Sequence, residues 1–335
     1  MKMSVGLTPR TLWWLLLGCT PIVAMLALLT GELSMHWADL VSAEGSMAQQ
    51  VFWQLRLPRL LLTLLAGALL AVTGAAVQAM FRNPLADPSL IGVSAGAGLA
   101  AVSMLVFGGS VVAWLGPVAL PLSAFVGGML VTALVARLGR EAGHISVTTM
   151  LLAGIAINAI AASGISALKY FSDLFTLRQV VFWLMGGLQH QGWPAVWTLL
   201  LIAIPVIAGL SWQGKVLNLL LLGEKQAQAL GVSVTRCHRT LIVLCALGVG
   251  AVVAVGGLIG FVGLLVPHLV RLLVGPDNRA LLPLSALAGA LLLTLADVLA
   301  RLVIAPAELP LGVVTALVGG PFFLMMIVYR RRGRG

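Results

Sequence analysis

Asp297 and Arg301 lie four residues apart in ADVLARL, so in a helix a carboxylate and a guanidinium share one face. Asp297 is the only carboxylate within a stretch apolar enough to span a membrane. An unpaired charge at mid-membrane costs about 2.5–3.5 kcal/mol, so this residue needs a partner or a task. The partner would be Arg301, in a structural ion pair. The task would be carrying protons in a gradient-driven carrier. Arg56 and Arg59 form a second basic group, three apart in QLRLPR, with Pro58 favouring a helix start. The three arginines would either anchor helix ends at the lipid headgroups or attract an acidic partner in a salt-sensitive way.

No catalytic constellation accompanies them. The chain has neither an HExxH motif nor a His-Asp-Ser set, and it lacks the paired aspartates of membrane prenyltransferases. His36, His190 and His268 are scattered, and His190, in LQHQGW, is a candidate haem ligand. Cys19, Cys237 and Cys245 match no CxxC or CxxH metal pattern. Neither GK[ST] nor a GxGxxG after a strand occurs, so no nucleotide site is expected.

Two polar interruptions remain to be placed. In RNPLADPS, residues 82–89, the prolines bar helix continuation, and Asp87 is placed to cap a helix with Pro88 at its first position. The stretch from Gly214 to Arg239 is the longest polar break in the second half and holds Lys215, Lys225, Arg236 and Arg239. Within it, Glu224 to Leu230 predicts a short helix, with Gly231 where a left-handed stop belongs. A membrane chain that keeps a capped, charged helix between spans uses it to touch something soluble.

The elements around these residues follow from composition. The 335 residues are 60% hydrophobic and 9% charged, with a mean hydropathy of +1.08, against roughly 25% charged in soluble domains. The apolar runs are continuous rather than alternating, which selects helices over a barrel. The expected fold is all-α and polytopic, a single domain over residues 1–335. Ten spans are predicted near 12–29, 60–81, 92–107, 114–137, 147–170, 193–212, 240–257, 260–274, 281–303 and 311–329. The third and eighth are too short for a full crossing and begin beside Gly or Pro, as broken helices lining a cavity do. The run from Leu12 to Leu29 reads as the first span rather than a signal peptide. With both termini in the cytoplasm, fifteen of the twenty Lys and Arg residues fall inside, including those of 214–239. The net charge of +10 is this bias and does not imply nucleic acid. Small residues at four-residue spacing, such as Gly92, Gly96 and Ala100, predict close helix contacts.

The runs RLPRLLLTLLAGALLAVTGAAVQAMFRNPLADPSLIGVSAGAG, LGEKQAQALGV, GLIGFVGLLVPHLVRLLVGPDNRALLPLSALAGA, ADVLAR and PAELPLGVVTALVGGPFF resemble the iron-chelate, haem and cobalamin permeases of ABC importers over residues 50–328. The resemblance implies a homodimeric inner-membrane permease without a catalytic site, two cytoplasmic ATPases that bind ATP and Mg, and a periplasmic binding protein. It assigns ATPase coupling to Gly223, Glu224, Lys225, Gln226, Ala229, Leu230 and Gly231. It assigns binding-protein docking to Arg56, Arg59 and Arg301, and the path or gate to Asn83, Leu85, Val147 and Thr148. At the gate, the cobalamin member's Thr-Ser pair reads Val147-Thr148 here, a departure that leaves the gate chemistry open. The implied cargo is an iron compound, haem or a ferric siderophore, with cobalamin as the alternative. No cofactor is expected on this chain.

Overall fold

The computed structural model describes residues 6–31, 47–141, 144–189 and 191–332. His36 and His190 lie outside the described residues. Helix α1 (Pro9–Leu29) starts behind Thr8, whose hydroxyl accepts the Thr11 amide at 3.1 Å. Helix α2 (Met47–Val51) runs through a π turn, Phe52–Arg56, into α3 (Leu57–Met80), giving 34 continuous helical residues. The sequence places this start near residue 60. The π turn, in which the Leu57 amide reaches the Phe52 carbonyl, carries the helix back past Pro58.

Asp87 caps the next turn as expected, its Oδ1 accepting the Ser89 amide at 2.8 Å. The turn Pro88–Ile91 and the left-handed Gly92 lead into the short α4 (Val93–Phe107). Helices α5 (Gly109–Leu115) and α6 (Ala119–Leu138) are parted by a 3-10 turn at Gly116–Val118, where the sequence predicts one span. A two-residue hairpin follows, β1 (Arg140–Glu141) antiparallel to β2 (His144–Ile145). Then come α7 (Val147–Phe171), α8 (Leu174–Met185), α9 (Trp193–Trp212), α10 (Gly214–Leu221) and α11 (Glu224–Ala229). Helices α12 (Val234–Gly256), α13 (Val262–Val274), α14 (Asn278–Leu302) and α15 (Leu311–Arg332) complete the chain.

The fold is all-α, and its helix count roughly matches the ten expected spans. Seven helices among the described residues are long and apolar enough to cross a bilayer, and α4, α8, α13 and α15 supply four shorter apolar ones. Helix α8 lies between the predicted spans, where the sequence predicts no helix. Its signals are local: Asp173 accepts the Phe175 and Thr176 amides at 2.9 and 3.0 Å, and Gly186 stops it at φ +69°. At 12 residues it is, like α13, shorter than a full crossing needs.

Helix α3 is the centre, wrapped by α14, α9, α13 and α12. Lipid offers no hydrophobic drive between helices, so backbones must approach closely. They do so where glycines face each other: a Cβ on Gly67 would overlap the Gly289 carbonyl, and one on Gly74 the Gly263 carbonyl. Polar groups bridge the same seams. The Thr63 and Thr294 hydroxyls lie 3.0 Å apart, and Arg271 donates to Gln78 at 2.9 Å. Helix α7 is the opposite case, burying only Met150, Gly154 and Ala161 in one copy of the chain.

Candidate functional site

The three predicted arginines meet at one end of the bundle, around Asp297. Arg59 donates from Nε to both Asp297 oxygens at 3.0 Å and from Nη2 to Oδ1 at 2.9 Å. Its remaining donors reach Glu308, Nη1 to Oε1 at 2.9 Å and Nη2 to Oε2 at 3.0 Å. Arg301 Nε lies 3.2 Å from Asp297 Oδ2, the pair expected from the four-residue spacing. Asp297 is 3% exposed and so is paired twice rather than left charged alone in the membrane.

Arg56 and Arg301 do further work on α1. The last carbonyls of any helix lack intrahelical donors and carry its negative end. Arg56 Nη1 donates to Leu28 O at 2.6 Å and Leu29 O at 3.1 Å. Arg301 Nη1 donates to Ala27 O at 3.0 Å and Thr30 O at 2.6 Å. The two guanidinium groups therefore close the α1 carboxyl end and are buried, instead of snorkelling to headgroups. The Arg59 side chain and Glu308 keep 14% and 25% exposure and form the outward-facing part. Glu308 was missed by the sequence reading; its signal was a carboxylate between two prolines, seven residues after Arg301.

At the opposite end of α14 lies the segment with the short helix. Helix α11 covers Glu224–Ala229, one residue shorter than predicted, with Leu230 as its cap. Gly231 N donates to Gln228 O at 2.9 Å and Val232 N to Ala227 O at 3.0 Å, the paired bonds of a Schellman stop. That stop needs the left-handed φ of +84° found at Gly231. Ala227 is buried and anchors α11, while Lys225, Gln226, Gln228, Ala229 and Leu230 are exposed. Glu224 is half-buried and opens the helix after Gly223, whose φ is +115°.

The preceding α10 is fastened to α14. Asn218 Nδ2 donates to Asp277 Oδ1 at 2.7 Å, and Asn218 Oδ1 accepts from the Asn278 amide and side chain at 2.9 and 3.0 Å. Arg279's hydrogen-bonded guanidinium, with help from Asn218, holds the Asp277 carboxyl well below its usual range. Neither Asn218 nor Asp277 was singled out from sequence. Asn218 is the one polar residue in VLNLLLL, and that oddity was its signal.

Asn83 and Leu85 sit exposed in the turn after α3, where Asn83 Oδ1 accepts the Leu85 amide at 3.0 Å. Val147 is half-buried and Thr148 exposed at the start of α7. The hydroxyls that interact there are their neighbours: Ser146 caps α7, its Oγ 2.9 Å from Thr149 Oγ1, and Thr149 donates to Glu141. No group of three or more His, Cys, Asp or Glu among the described residues could hold a metal ion.

Comparison with known proteins now gives this geometry a context. The profile of the FecCD transport family matches residues 19–329. The vitamin B12 import system permease protein BtuC of Vibrio cholerae is 46% identical over 315 residues, 94% of this chain and 93% of that one. The hemin transport system permease protein HmuU of Yersinia pestis is 41% identical over 334 residues, 99% of each chain. An inward-facing metal-chelate type ABC transporter superposes with a TM-score of 0.86 at 34% identity, covering 96% of this chain and 99% of that one. With a family match across nearly its whole length and relatives this similar, the chain belongs to the FecCD transport family, as a non-catalytic membrane permease of an ABC importer.

Proposed function

We propose that two copies of this chain form the inner-membrane path of an importer for a metal-centred tetrapyrrole, cobalamin or haem. A periplasmic binding protein delivers the cargo at the Asp297 end. Two cytoplasmic ATPases, which bind ATP and Mg, seat against α11 at the other end. Both chain termini lie in the cytoplasm. The cargo class rests on the relatives, one named for vitamin B12 and one for hemin.

The observation that carries the reading is that one helix joins both ends. Helix α14 ends in Asp297 and Arg301 and begins at Asp277 and Asn278, which Asn218 ties to the α10–α11 segment. Its 25 residues span about 37 Å at 1.5 Å each, the reach of a bilayer core. Docking at the cluster and ATP-driven movement at α11 are thus two biases on one rigid element, which is what coupling across a membrane requires.

The arginines act in two ways under this reading. Arg56 and Arg301 fix the α1 end, Arg59 and Arg301 hold Asp297, and the outward-facing Arg59 also meets an acidic group of the binding protein. The path runs along α7, whose exposed Ala156, Ala159, Ser163 and Ser166 suit a wet wall better than lipid. Asn83, Leu85, Val147 and Thr148 narrow its cytoplasmic end, and the Ser146–Thr149 pair supplies the hydroxyls there. Optical titration of the assembled importer with haem, cobalamin and a ferric siderophore tests the cargo class. Binding-protein-dependent uptake of the siderophore alone would refute it.

A further inference from the structure

A groove of about 550 Å³ opens between α6 and α12, at the end of the bundle that also carries α11. Arg137, Arg140 and Arg239 line its rim, and all three side chains are exposed. Among the described residues, none of the three is in an ion pair or hydrogen bond. The wall below the rim is apolar except for Thr132, which is buried at 3% exposure. The apolar wall continues along α6 through the exposed Leu134 and Leu130 towards the middle of the membrane.

We infer that this groove is a binding site for an anionic phospholipid of the surrounding leaflet. Three guanidinium groups are placed for a phosphate and a second anionic or hydroxylated headgroup. The acyl chains lie against Leu134 and Leu130. A basic rim over an apolar wall between spans is the pattern that selects lipid over a free anion, which has no use for the wall. Because the rim arginines stand on α6, the hairpin and α12, a bound headgroup ties those elements together beside the α11 segment.

The test is lipid retention by the full-length permease, purified in mild detergent and read by native mass spectrometry after graded delipidation. The probes are phosphatidylglycerol and phosphatidylcholine with identical acyl chains. The wild-type chain keeps phosphatidylglycerol under conditions that strip phosphatidylcholine. Replacing Arg137, Arg140 and Arg239 by Gln lowers retention by roughly fivefold each, on the order of a hundredfold together. The exposed Ala133→Trp variant, which keeps every arginine but fills the apolar wall, lowers it as well. Equal retention of the two lipids, or unchanged retention in the triple variant, would overturn the inference. So would unchanged retention in Ala133→Trp together with displacement of the lipid by inorganic phosphate. Loss of the lipid when the ATPase subunits assemble would show that the groove belongs to that interface instead.

Discussion

Asn218 hydrogen-bonds Asp277 at 2.7 Å and Asn278 at 2.9 Å, so the α10–α11 segment is fastened to the first residues of α14. Twenty residues further along that helix, the buried Asp297 holds Arg59 and Arg301. The bundle thus has one continuous part between the two surfaces assigned to its partners. The following outcomes depend on that arrangement.

Asn218→Ala removes three hydrogen bonds at the α10–α14 junction, each worth about 0.5–1.5 kcal/mol net. The variant should still copurify with ATPase subunits, because α11 and its exposed face are intact. Stimulation of ATP hydrolysis by the loaded binding protein should fall several-fold. Stimulation equal to wild type would show that force does not pass through this junction.

The same junction should be insensitive to pH across the physiological range. Asp277's folded pKa is depressed by Arg279 and Asn218. Its contribution is therefore complete above the unfolded value of about 3.9 and is lost only as pH falls through the depressed folded value. A binding-protein stimulation profile from pH 5 to 8 should show no step assignable to this carboxylate, checked by comparing Asp277→Asn with wild type.

Glu308 occupies two of Arg59's donors, and a docking carboxylate must share or displace it. Glu308→Gln should tighten binding-protein affinity by roughly threefold to tenfold, a modest gain because the pair is partly exposed. Arg59→Glu should weaken docking most strongly at low salt. Surface plasmon resonance at two ionic strengths measures both; unchanged affinity in both variants would remove Arg59 from the interface.

Gly231→Val puts a β-branched side chain at φ +84°, where the cost is roughly 1–2 kcal/mol although no atom lies within 4 Å of the new Cβ. The variant should lose ATPase subunits during purification. Gly231→Asn, which tolerates that conformation, should retain them. If both behave alike, the Schellman stop does not set the coupling surface.

Asp297→Asn leaves Arg59 and Arg301 facing a neutral amide in a buried site, and breaking such a cluster typically costs about 3–5 kcal/mol. The melting temperature should fall by several degrees, and docking and uptake should decline together. A proton carrier would instead lose uptake with stability, docking and ATPase coupling all intact.

The membrane class, most of the spans and the short helices α4 and α13 were legible because hydropathy and the bilayer's thickness impose them. Gly231 and the Asp87 cap were legible because turn chemistry is local. The Asp297–Arg301 pair followed from helical spacing. Glu308, Asn218 and Asp277 were not, because their partners lie 249, 59 and 59 residues away, and only packing brings them together. The use of Arg56 and Arg301 on the α1 carbonyls was hidden likewise. An arginine reads as a free charge until the helix end that consumes it is in place. Helix α8 was missed because a span-length window averages over its 12 residues.

The central claim is that partner ATPases, and no ion gradient, drive cargo through this chain. The most direct measurement is uptake of cobalamin and haem into proteoliposomes holding the homodimer, both ATPases and the binding protein. One set has ATP on the ATPase side and a protonophore; the other has an imposed proton gradient and no ATP. The account predicts binding-protein-dependent uptake of one of these cargoes in the first set and none in the second. Uptake that follows the proton gradient and ignores ATP would contradict it.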